Sequence, residues 1–106
     1  MTDRELLELA AKAAGIKVKG YFEDEPTLLI KPGIRLPPAR WNPLTDDGDA
    51  LRLAVKLDLH ILRFTNNTTV KASTWIDSFD ERDDVDPYAA TRRAIVRAAA
   101  SIGGEL

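Results

Sequence analysis

Residues 32–43, PGIRLPPARWNP, hold four prolines and one glycine. Proline has no N–H to donate and its φ is fixed, so neither a helix interior nor a central strand accommodates such a run. The stretch reads as an extended connection, with short elements on either side of it.

Upstream, Thr2 and Glu5 make a capping box, with Asp3 as an alternative cap. Leu6, Leu9, Ala10 and Ala13 then recur at helical spacing up to Gly15, which predicts a helix over Asp3–Ala14. In IKVKGYF, Ile16, Val18, Gly20 and Phe22 fall on one face and Lys17, Lys19 and Tyr21 on the other, as in a half-buried strand. Glu23–Pro26 is a turn, and Thr27–Lys31 returns to form a hairpin.

Downstream, the composition predicts a helix over about Asp46–Leu57, with Leu51, Ala54 and Val55 facing inward. Strands follow over Leu59–Thr65 and Thr69–Phe79, joined at Asn66-Asn67. Leu62, Phe64, Val70, Ala72 and Ile76 share one face only if facing residue numbers sum to an even total. That expectation calls for a three- or five-residue loop, or a bulge, rather than a two-residue turn. By the same parity Ile61 and Trp75 take the opposite face, so helices are expected on both sides of the sheet. The acidic stretch DSFDERDDVD reads as a loop ending at Asp86, which caps a helix with Pro87 at its first position. This alanine-rich helix, Pro87–Ile102, stops at Gly103-Gly104, and its small residues imply close packing on a sheet or another helix.

The expected order is therefore α-β-β-α-β-β-α. It describes an α+β domain with a four-stranded, mainly antiparallel sheet and helices packed on it. At 106 residues the chain is one domain, long enough to bury a core without staples. It has no cysteine, which removes disulfides and Cys-based zinc sites and fits a reducing cytoplasm. No apolar run reaches the roughly 18–20 residues needed to span a bilayer. MTDRELLELAAKAAG is acidic and amphipathic, unlike a signal peptide, so the Asn-x-Thr triplets at Asn66 and Asn67 are not read as glycan sites.

Three segments, MTDRELLELAAKAAG, WNPLTDDGDALRLAVKL and ATRRAIVRAAASIG, together resemble a family of small bacteriophage and prophage proteins described as the phage α/β/α-sandwich domain. The resemblance spans both ends and the middle of the chain. It implies a sheet between helical layers and expression in an infected or lysogenic bacterium. It implies no catalytic residues, and FEDEPTLLIKPG lies outside the matched segments.

The stretch WNPLTDDGD raises the main functional question. As structure, Asp46 caps the helix, Asp49 reaches back, and Trp41 or Leu44 packs as a staple. Asn42 with Pro43 is an alternative start. As a site, Trp41 and Asn42 form an exposed recognition edge, and Asp46, Asp47 and Asp49 bind a cation or a basic partner. DDGD lacks the ligand spacing of an EF-type calcium loop, and KPG at 31–33 is not a phosphate cradle. Capping is the stronger reading, and neither a metal nor a cofactor is expected. A second acidic cluster, Asp77, Asp80, Glu81, Asp83, Asp84 and Asp86, reads as a solvated loop. His60, the only histidine, has Ser73, Thr74 or an aspartate as conceivable partners for proton transfer. It reads as a strand residue on the Leu62/Phe64 face.

Nucleic acid is the alternative ligand. Lys17, Lys19 and Tyr21 on one strand face, near Lys31, Arg35 and Arg40, offer phosphate pairing and stacking, as do Arg92, Arg93 and Arg97 on the last helix. The net charge of −2 argues against it. The expected function is thus an accessory protein acting by contact with a phage or host protein in the bacterial cytoplasm, ahead of nucleic-acid binding and, last, a metal-dependent enzyme. A monomer is the simpler expectation, because the protein's own sheet can bury the alanine-rich helix.

Overall fold

The computed structural model describes residues 1–106. It holds helices α1 (Asp3–Ala14), α2 (Asp47–Lys56) and α3 (Pro87–Gly104), and strands β1 (Lys17–Tyr21), β2 (Leu28–Lys31), β3 (Ala39–Trp41), β4 (His60–Phe64), β5 (Thr69–Ser73) and β6 (Ser78–Arg82). Capping chemistry places the helices where the sequence marks them. Thr2 Oγ1 accepts the Glu5 N–H at 3.2 Å and Glu5 accepts the Thr2 N–H at 3.1 Å, which completes the capping box. Gly15 stops α1 at φ +70°, and the Ile16 N–H reaches back to the Ala11 carbonyl. Asp86 caps α3 through the Ala89 N–H, with Pro87 in the first turn.

The buried stripes are rotated from the expected ones. In α1 they are Leu6, Leu7, Ala10, Ala11 and Ala14 rather than Leu9 and Ala13. In α2 they are Ala50, Leu53 and Ala54, while Leu51 and Val55 are exposed. Both phases have helical spacing, and the position of α3 selects between them.

The strands correct the expectation of one four-stranded sheet. There are two separate antiparallel meanders, β1-β2-β3 and β4-β5-β6. The first extra strand arises in the proline-rich stretch, where Ala39, Arg40 and Trp41 pair with Ile30, Leu29 and Leu28. It lies at a sheet edge, where proline neighbours cost no ladder bonds. The second arises because the expected long strand breaks. Thr74 Oγ1 accepts the N–H groups of Ile76 and Asp77, its own N–H donates to the Asp77 carbonyl, and the chain turns back as β6. Part of the acidic stretch is therefore a strand.

The register between β4 and β5 also differs. Phe64 faces Thr69 and Arg63 faces Val70, so facing numbers sum to an odd total across the four residues Thr65–Thr68. This loop needs Thr68 at φ +50°, uncommon for a β-branched residue. Ile61, Val70, Ala72 and Phe79 consequently line the inner face, and His60, Leu62 and Phe64 point outward. The even-sum reading placed its apolar residues on a single side. Instead Leu62 and Phe64 are exposed and Ile76 lies in the turn.

α3 is the central element. It packs on α1, on α2 and on the inner faces of β5 and β6, and its residues Ala94, Val96, Ala98 and Ala99 are fully buried. Arg93 meets Asp3, Gly103 meets Leu9, and Lys12 meets the Leu106 carbonyl, so α1 and α3 run parallel. α3 continues past Ile102 because Gly103 is a contact residue and not a stop. A Cβ at that position would overlap the Leu9 carbonyl oxygen. The first sheet leans on α1 and the second on α3. The helices therefore lie between two sheets, whereas the resemblance implies a sheet between helices, and no helix covers the outer face of the second sheet. The α+β class holds, and no helix is long and apolar enough to cross a membrane.

Candidate functional site

WNPLTDDGD is a helix start tied to the core. Trp41 faces Leu28 across the β2–β3 ladder and is only 4% exposed. Asn42 is buried, and its side chain is committed to the scaffold. Nδ2 donates to Thr27 Oγ1 at 3.0 Å, and Oδ1 accepts the Leu44 N–H at 3.0 Å. The expected recognition edge at Trp41 and Asn42 is thus corrected, because formation of β3 turns the indole inward. Asp46 caps α2 through the Asp49 N–H at 2.8 Å. Asp49 reaches back as expected, but to the N–H of Asn42 and not to that of the cap, and its second oxygen takes Arg52 at 2.7 Å. Asp47 pairs with Arg92 of α3 at 2.6 Å, and Arg92 Nε also donates to the Leu44 carbonyl. The three aspartates hold the segment in place, and no three or more His, Cys, Asp or Glu side chains gather to hold a metal ion.

The basic face expected on β1 does not form. A bulge between Val18 and Gly20 leaves Lys19 as the extra residue. Lys17 pairs with Lys31 while Tyr21 pairs with Leu28, so Lys17 and Tyr21 lie on opposite faces. Arg4 stacks over the Tyr21 ring at 4.1 Å. On α3, Arg93 is bound to Asp3, and Arg97 is bound to Glu81 and stacked on Phe79. These arginines fasten α3 to its neighbours, and Asp3 and Glu81 match their charge there.

The second acidic cluster is likewise spent on structure. Asp83 is buried and pairs with Arg63 at 2.8 Å. Asp84 is bound by Arg82, whose hydrogen bond holds that carboxyl below its ordinary range. His60 is exposed opposite Ser73 and makes no side-chain hydrogen bond. No arrangement of nucleophile, base and orienting group is present around it.

Two features went unread in the sequence. The first is the open side of the β4-β5-β6 sheet. Its cross-strand rows are His60–Ser73–Ser78, Leu62–Lys71–Asp80 and Phe64–Thr69–Arg82. Leu62 is 55% exposed, and at the β5–β6 turn Trp75 is 92% and Ile76 63% exposed. Alternation in HILRF groups His60, Leu62 and Phe64 on one face, as the structure does, but the expected register joined that face to Val70 and Ala72, and no local signal says which face the helix covers.

The second feature is a cleft of about 590 Å³ between α2, the first sheet and the end of α1. Ala14, Ile30, Trp41 and Leu53 supply apolar lining, and Lys31, Arg52 and Lys56 supply charge. Comparison of the chain with protein-family models, with characterised proteins and with solved structures gives no match.

Proposed function

We propose that this chain is a small accessory protein of phage or prophage origin that acts by contact with a phage or host protein in the bacterial cytoplasm. The origin rests on the three sequence segments described above. The mode of action rests on the open face of the second sheet. Leu62 and Phe64 on β4, and Trp75 and Ile76 in the β5–β6 turn, keep apolar surface in solvent on one sheet and its turn, and exposed apolar surface of this kind marks protein contact sites when it is gathered on one face. Tryptophan is the residue type most often central to such contacts. The same sheet face carries Lys71 at its centre and Asp80 and Arg82 on β6, charges of both signs that suit a protein surface better than a polyanion.

The test compares the wild-type chain with Trp75→Ala combined with Leu62→Ser as baits in lysate of an infected host. Both positions are exposed, so the variant is expected to keep its fold, checked by circular dichroism. The reading predicts a partner retained by the wild type and lost by the variant. Equal retention by both sinks it. Salt-dependent binding of single-stranded DNA, with NMR shifts centred on Lys17–Lys31, would transfer the function to nucleic acid.

A further inference from the structure

The cleft beside α2 is a gap in the packing under the first sheet. α1 stops at Gly15, and its end lines one wall. α2 presents Asp49, Arg52, Leu53 and Lys56, three to four residues apart and so on one helical face. Ile30 of β2 and Ala39 and Trp41 of β3 supply the sheet side. The volume falls within the range of sites for small organic ligands, about 300–1,000 Å³, as does the mixture of apolar lining with a few polar groups.

Charge decides what kind of ligand fits. Asp49 is the only acid on the cleft, and both its oxygens are used by Asn42 and Arg52. Arg40 is bound to Glu25 and stacked over Phe22. Lys31 and Lys56 line the cleft and have no hydrogen-bond or ion-pair partner in the protein. The cleft thus joins an apolar wall to two uncompensated cations.

We propose that it binds an organic anion: a compact apolar body against Ile16, Pro32 and Ala39, the lining residues with open apolar surface, above the buried Trp41, with a carboxylate, sulfonate or phosphate head group toward Lys31 and Lys56. This site is separate from the open sheet face, so the two readings stand or fall independently.

Trp41 is the reporter. Trp75→Phe leaves it as the only tryptophan, since the chain has two. This protein is titrated with the anionic dye 8-anilinonaphthalene-1-sulfonate and with its uncharged analogue N-phenyl-1-naphthylamine. The proposal predicts saturable quenching of Trp41 by the anion, displacement by decanoate, and binding of the neutral analogue at least about tenfold weaker. Lys31→Gln combined with Lys56→Gln lowers anion affinity about tenfold. Ala39→Phe, at an exposed edge-strand position lining the cleft, fills the space and abolishes binding while thermal stability is retained. Equal binding of both dyes, unchanged binding by either variant, or no saturable quenching overturns the proposal. So does an acidic peptide that displaces the dye more tightly than decanoate, because the cleft would then read a protein segment.

Discussion

Two adjacent glycines in α3 do opposite things. At Gly103 a methyl group would run into the Leu9 carbonyl oxygen, whereas at Gly104 nothing lies within 4 Å. Alanine is the better helix former by about 1 kcal/mol in a helix interior. Overpacking against a backbone costs roughly 1–3 kcal/mol or more. The collision wins at 103 and propensity wins at 104. Gly103→Ala is expected to destabilise the protein by about 2 kcal/mol in chemical denaturation, and Gly104→Ala to be neutral or stabilising by up to about 1 kcal/mol. Equal responses at the two positions would contradict the close helix contact. Sequence pattern marked both glycines as a helix stop, because a glycine needed for approach and a glycine needed for a stop look alike. Asn42 shows the converse. Its type and its place before Pro43 suggested a cap or an exposed contact, and only the pairing of β3 with β2 shows why the amide is buried against Thr27.

Helix ends were the most legible elements because their chemistry is local. The α1 capping box also makes a pH prediction. The Thr2 backbone N–H, and then the Thr2 hydroxyl, favour the charged form of Glu5 and hold its carboxyl below the ordinary glutamate range. A carboxyl lowered in the folded state adds stability above its unfolded value, and that stability is lost as pH falls through the folded value. Acid therefore loosens the start of α1. In Glu5→Gln the amide makes a similar contact at every pH, so this part of the acid sensitivity disappears. The melting-temperature gap between wild type and Glu5→Gln is expected to shrink between about pH 7 and about pH 3, and a constant gap would refute it. Strands were less legible. β3 is three residues long beside prolines, and β6 is mostly charged, so neither carries an apolar signature of its own. Each is defined by the strand it pairs with, and that pairing is set outside the segment.

Across the whole molecule, stability follows α3. Its neighbours are α1, α2 and the second sheet, whereas the first sheet is held mainly by its own ladder and by α1. Native-state hydrogen exchange should therefore be slowest at residues 94–99 of α3 and in β5, and faster in β1. Uniform protection across both sheets would show that the first sheet opens only with the whole protein. The candidate sites follow the same logic. The open sheet face and the cleft are both places that no helix fills, and helix placement is a tertiary choice that residue spacing does not encode. The parallel pairing of α1 with α3 joins residues 90 apart in the chain, as at Asp3 and Arg93. For the newborn chain this is a matter of waiting. At about 5–20 residues per second, α1 leaves the ribosome roughly 5–18 seconds before the turn of α3 that it must meet. During that interval Leu6, Leu7 and the alanines beside them lack α3, their main native cover, and have only the first sheet and α2 to lean on.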